Sequence, residues 1–352
     1  MPSEYKAPVP IVDKREANAL DQLTEKYNKL IEPSTAKKIV KKAGKLVPDK
    51  VKKAGATLGK TITEQELYQQ ALEQISSGFK VVEEQVSKYT ISADMIVKNV
   101  SKQSNDVDIS TIDEICLVRS YDIAKAVSKN KGMSRLYAVI EGGATGAFGF
   151  WGLPFNLVFS LLLYFRAVQA IAMYYGYDVK NDDEELVIAS DVFMNALSPS
   201  RTDANNELGG MIGKVMVMTQ ANIVKQTAKK TWTDMATRGG IPLLLAQMRA
   251  LANKAAQKAL EKAGEKGLEQ SLFKGVFEQI GRKLTLKTIG KAVPAVSGVI
   301  GALIDVGQMN TVVKYADIFY QKRFILEKGA RVKMLINDDA DDTDIIDVEF
   351  EV

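Results

Sequence analysis

The feature that most constrains this chain is Gly142 to Phe165, "GGATGAFGFWGLPFNLVFSLLLYF", 24 residues without a charge in a sequence of which 26% is Asp, Glu, Lys or Arg. As one continuous helix it would run about 36 Å, enough for a bilayer core of about 30 Å. Its composition argues for less. Glycines crowd the part before Leu153, and Pro154 interrupts the helix beyond them, so the apolar helix from Phe155 to Phe165 covers only about 16 Å. The expectation is a helical hairpin buried in a soluble core, with insertion of that hairpin into a membrane as the competing reading. Gly142, Gly146, Gly149 and Leu153 recur at steps of four, three and four, and Gly152 lies beside them. One helix face then carries little bulk and admits another backbone closely. A phosphate loop does not fit this stretch, because no lysine follows the glycines as GxxxxGK[ST] requires and no GxGxxG occurs.

A related pattern recurs in "GKAVPAVSGVIGALID", where Gly290, Pro294, Gly298, Gly301 and Asp305 share one face. Gly149-x-x-Gly152-x-x-x-Asn156 aligns over Gly298-x-x-Gly301-x-x-x-Asp305, and a long aromatic-bearing helix follows each. This weak internal repeat predicts two glycine-rich helical hairpins packed on each other. Helical periodicity dominates elsewhere too. Leu67, Leu72, Ile75, Phe79, Val82 and Val86 fall near helical spacing, Thr111 to Glu114 reads as a capping box opening a helix through "STIDEICLVRSYDIAKAVSKNK", and "DDEELVIASDVFMNAL" begins with four acids at the positive end of a helix dipole. A short helix is expected between Asp13 and Ile31, and further helices from Met211 to Arg238, Pro242 to Ala263 and Leu268 to Ile289. Two-residue alternation is confined to the C-terminal segment, so the expected fold is all-α with little or no β structure.

Charge is unevenly placed. Thr35 to Lys60 carries nine lysines against one acid, Asp49. Ile39, Ala43, Leu46 and Val47 share a face there, with Lys37, Lys38, Lys41, Lys42 and Lys45 around it, and Lys50, Lys52 and Lys53 come after Pro48. That describes a basic amphipathic segment able to lie on an anionic membrane, or a solvated helix face. The residues from Asp338 onward are strongly acidic with apolar residues interleaved, a composition that predicts disorder and suits strand addition to a partner, solubilisation, or masking of the lysine run. The formal net charge of +4 over 352 residues gives no sign of a nucleic-acid partner.

Histidine is absent, which removes Ser-His-Asp and Cys-His catalysis, HExxH metal chemistry and imidazole ligation together. No cofactor and no metal are expected. The single cysteine, Cys116, reads as a core residue; "MPSEYKAPVP" gives no expectation of a signal peptide, and cytoplasmic residence is expected. A catalytic reading rests on Glu141, Arg166 and Asp305 at the glycine-lined centre, although a Glu141–Arg166 ion pair explains two of them structurally. Trp151 and the Tyr174, Tyr175, Tyr177 cluster suit either a membrane interface or buried packing.

The stretch "YAVIEGGATGAFGFWGLPFNLVFSLLLYFRAVQAIAMYYGYDVKNDDEE", together with "GKAVPAVSGVIGALIDVGQMNTVVKYADIFYQKR", resembles the EcsC protein family, over roughly Ser34 to Lys328. Where members often carry an acidic residue after the first glycine stretch, this chain has the neutral Leu153-Pro154-Phe155-Asn156. The resemblance implies a bacterial, cytoplasmic, membrane-associated helical protein and supplies no catalytic residues. The expected organisation is an N-terminal arm over 1–34, partly disordered, a helical domain over 35–330 and an acidic tail over 331–352. Its expected work is contact with an anionic membrane, or with a membrane-bound protein, from the inner face.

Overall fold

The computed structural model describes residues 10–31, 64–87, 92–104, 107–129, 152–197, 253, 257, 267–275, 277–278 and 306–338. Among these every regular element is helical and no strand occurs, so the protein is all-α. The hairpin glycines lie outside the described residues, apart from Gly152, the first residue of its helix.

Helix α1, Lys14–Ile31, opens with a reciprocal cap: the Glu16 amide donates to Asp13 at 2.7 Å and the Asp13 amide donates to the Glu16 carboxylate at 3.2 Å. It packs along the last helix, burying Leu23 and Tyr27, with the Tyr27 and Tyr315 rings edge to face at 6.0 Å. The segment expected as an arm is therefore an element of the helical domain. Its few apolar residues conceal this, because charge fixes much of the contact.

Helix α2, Glu64–Ser87, buries Ala71, Ile75, Phe79, Val82 and Val86, a single stripe laid on the apolar helix that begins at Gly152. Helix α3, Ala93–Ser101, is capped by Ser92. The Thr111 to Glu114 cap forms, with the Glu114 carboxylate accepting from the Ser110 and Thr111 amides and the Thr111 hydroxyl from the Glu114 amide. It opens only a 3-10 turn, Asp113–Leu117; Val118 and Arg119 are extended, and helix α4, Ser120–Ser128, starts afresh. The one long helix expected here is two short pieces.

Helix α5, Gly152–Tyr174, is apolar on every side and contacts α2, α3 and α4. Pro154 sits in the first described turn, and the helix runs on from it without a break to Tyr174. Leu157–Tyr174 is long and apolar enough to cross a membrane, yet 94% of it is buried inside the fold. The helix ends in a Schellman turn: Gly176, at φ 80°, donates to the Met173 carbonyl and Tyr177 to that of Ala172. Helix α6, Asp183–Leu197, is capped by the Asp182 carboxylate, which accepts from the Glu184 and Glu185 amides. Helix α7, Val306–Asp338, spans 33 residues and carries the contacts of α1, α4, α5, α6 and the 3-10 turn. The two helices aligned by the sequence repeat, α5 and α7, thus pack against each other. Because α7 runs to Asp338, an acidic tail beginning at 331 starts too early; Val332 is still buried.

Candidate functional site

Helix α7 has no single apolar face, because its buried positions include Gln321, Lys322, Arg323 and Lys328 beside Phe319, Tyr320, Phe324 and Ile325. Buried charges require partners, and these come from α6, α1 and α7 itself. Arg323, 1% exposed, holds the Glu185 carboxylate of α6 through both terminal nitrogens at 2.6 and 2.8 Å and its own Glu327 through Nε at 3.0 Å. Tyr177 donates to Glu327 at 2.8 Å, and the guanidinium groups of Arg323 and Arg331 lie over its ring, at 3.9 and 4.6 Å. Arg331 closes the network by donating to the Tyr175 and Gly176 carbonyls. Burial alone would push Arg323 toward neutrality; Glu185 and Glu327 more than offset this and hold its pKa well above the usual arginine range. Burial and the Glu327 charge raise Tyr177 well above the usual phenol range.

A second cluster joins α7 to α1. Lys328, lowered by burial against the opposing pull of Glu16, donates to Glu16 at 2.8 Å and to the Val118 carbonyl at 2.8 Å. Glu16, fully buried, also accepts from Arg119 at 3.1 Å and from the Ser120 amide at 2.8 Å. One carboxylate therefore ties α1, the break before α4, and α7 together. Lys322, pushed down to about 8 by burial, donates to the Thr24 hydroxyl of α1.

Two carboxyls stand out chemically. Asp191 of α6, raised by burial to about 7, is partly accessible and makes no side-chain hydrogen bond among the described residues. Its charge acts on the Tyr320 phenol, which is fully buried and has no hydrogen-bond partner among the described residues. Asp317 of α7, raised by burial to about 6 although Tyr175 and Lys26 favour its charged form, accepts from the Tyr175 hydroxyl at 2.7 Å. Groups poised near neutrality suit proton exchange.

Of the site residues read from sequence, Lys37, Lys38, Lys41, Lys42, Lys45, Lys50, Lys52, Lys53, Glu141, Gly142, Gly146, Gly149, Trp151, Gly298, Gly301 and Asp305 lie outside the described residues. Arg166 is described, and it is the one charge on α5. It pairs with Glu83 of α2 at 3.2 Å and with Glu269 at 3.0 Å, and it donates to Gln169. Two carboxylates thus account for it without Glu141. Glu83 is raised by burial and by the Glu269 charge, opposed by Arg166. Tyr174, Tyr175 and Tyr177 are all buried, and each hydroxyl donates to, or accepts from, one interior partner, Asn99, Asp317 or Glu327; they pack the core rather than face a membrane. Cys116 is buried as expected. Sequence reasoning misses the network on α7. Its signal is present in "YADIFYQKRFIL" and "LVIASDVFMNAL", where charged residues interrupt apolar runs on helices with no polar side to hold them.

These observations define an all-α domain built around one buried apolar helix and one long helix that carries an interior ion network. No curated protein and no solved structure matches the chain. The model of the EcsC protein family matches residues 13–325, and the chain belongs to that family. The match begins at the cap of α1, in keeping with that helix being part of the domain.

Proposed function

We propose that this protein works by peripheral contact with an anionic membrane surface, through the lysine-rich segment Thr35 to Lys60. The observation that carries the reading is charge segregation: nine lysines face one acid in that segment, whereas the buried cations of the domain have partners within it. The segment joins α1 to α2, both packed against core helices, so whatever it binds is held to the domain at both ends. Each lysine near an anionic leaflet contributes on the order of 1 kcal/mol, enough in sum to hold a domain at a surface without insertion. Burial of α5 within the fold supports attachment from the surface rather than by a permanent span.

The test is co-sedimentation with phosphatidylserine-containing and with neutral vesicles, for the protein and for a variant with Lys37, Lys38, Lys41, Lys42, Lys45, Lys50, Lys52 and Lys53 replaced by glutamine. Binding only to anionic vesicles, weakened at least tenfold in the variant, supports the reading. Equal binding to both vesicle types, or none to either, sinks it.

A further inference from the structure

A groove of about 490 Å³ lies open on the outer face of α3, lined by Asp94, Val97, Lys98, Ser101, Lys102, Ile109 and Ser110. The five residues from α3 and its cap stand at helical steps of three, one, three and one, which is one stripe. The Ser101 hydroxyl donates to the Ile109 carbonyl and so joins the C-terminal end of the stripe to the extended run at 107–110. Lys98 and Lys102 are exposed at that end, while Asp94 and Met95, 49% exposed, lie at the other. The groove therefore carries Lys98 and Lys102 over its middle and one end, with the acid Asp94 at the other and Val97 and Ile109 as its apolar lining.

We infer that this groove receives the chain's own segment 339–352. Charge complementarity is the first reason: residues 338–352 hold eight acids and no base, with the densest acids first and Ile346, Val348, Phe350 and Val352 alternating afterwards. In extended form those four side chains share one side. Position is the second. Arg331 of α7 donates to the Gly176 carbonyl, and a Cβ built on Gly176 would lie 2.5 Å from Arg331 and 3.0 Å from the Ile112 carbonyl, so α7 passes within a few residues of Ser110. From Asp338 the remaining 14 residues reach up to about 46 Å, and the α3 stripe is about 12 Å long. A segment leaving α7 meets Ser110 and Lys102 with its acids and reaches Val97 with the apolar residues that follow. Asp94 leaves the Lys98–Lys102 end as the place where the acids fit, against the opposing charge of the exposed Asp108 beside Ile109.

The experiment uses the full chain with Phe350 replaced by benzoylphenylalanine, irradiated at dilute concentration and mapped by mass spectrometry. Intramolecular cross-links to the peptides holding Met95, Val97 or Ile109 are expected, falling at least tenfold in Lys98→Glu/Lys102→Glu. Those lysines are exposed, and circular dichroism checks that the variant stays folded. Cross-links concentrated in Thr35 to Lys60 would place the segment on the lysine run and overturn the inference. So would a yield unchanged by the charge reversals, or cross-links formed only between molecules. Vesicle binding is scored separately, so this inference and the membrane reading fail independently.

Discussion

Single residues on α7 and its neighbours carry more of this structure than their chemistry suggests. Glu16 is the clearest, since its carboxylate serves Lys328, Arg119 and the Ser120 amide at once. Glu16→Ala leaves two cations near the interior without it and should destabilise the protein by about 3–5 kcal/mol, seen as a lower urea midpoint. Gly176→Ala forces a side chain onto a backbone at φ 80° and into Arg331; a loss of at least about 1 kcal/mol is expected by the same measurement. Asp191 and Asp317 set a pH dependence. Their folded pKa values, about 7 and about 6, stand above the ordinary aspartate value of 3.8, so between pH about 4 and 7 the folded state holds protons that the unfolded chain releases. Stability from these groups is present at low pH and is lost as pH rises through that window. Asp191→Asn should therefore leave stability near pH 4 little changed and raise it at pH 8 by on the order of 2–4 kcal/mol relative to the parent. Equal differences at both pH values would show that Asp191 is not held neutral in the fold.

At the scale of elements, the sequence shows what is local and hides what is distant. The α2 stripe, the Asp13–Glu16 and Thr111–Glu114 caps and the acidic start of α6 are all written within one or two helical turns, where spacing alone implies contact. Glu185 reads in the sequence as an acid favouring a helix dipole; its main role is to neutralise Arg323, 138 residues away, and no periodicity reports such a pair. The glycine-rich stretches are the strongest sequence signal, but apart from Gly152 their glycines fall outside the described residues, and so do the hairpins expected from them. Pro154 departs from its expected role because it lies in the first described turn of α5 and the helix continues through it to Tyr174. Arg166 illustrates the same limit, since its pairing with Glu83 and Glu269 joins three separate segments. Replacing it with methionine extends the apolar surface of α5 but leaves two facing carboxylates. Because Glu83 is 38% exposed, solvent screens part of this repulsion. A loss of about 1–2 kcal/mol at pH 7 is expected, shrinking as pH falls, because Glu83 is raised by burial and by the Glu269 charge and takes up a proton sooner than an ordinary glutamate. A loss that grows on acidification would contradict the pairing.

For the whole molecule, the proposed membrane contact raises the question whether α5 would leave the core at a bilayer. Length and hydropathy permit it, and the internal bonds oppose it. Withdrawing α5 would strip Arg166 from Glu83 and Glu269 and the Tyr174 hydroxyl from Asn99, and would expose the apolar faces of α2, α6 and α7 that it covers. Apolar burial contributes roughly 25 cal/mol per Å², and a bilayer would return that for α5 alone, leaving the uncovered helices in water. Arg166 would also have to enter the hydrocarbon, at a further few kcal/mol. Electrostatic attachment through Thr35 to Lys60 needs none of this. Hydrogen exchange measured on the vesicle-bound protein should therefore show Leu157–Tyr174 as protected as in the free protein, with changes confined to the lysine segment. Raising salt to about 1 M, where the screening length falls to about 3 Å, should release the protein. Release by salt with α5 protected throughout is what a surface-bound, intact domain requires; loss of α5 protection in the bound state, persisting at high salt, would mean that the hairpin inserts.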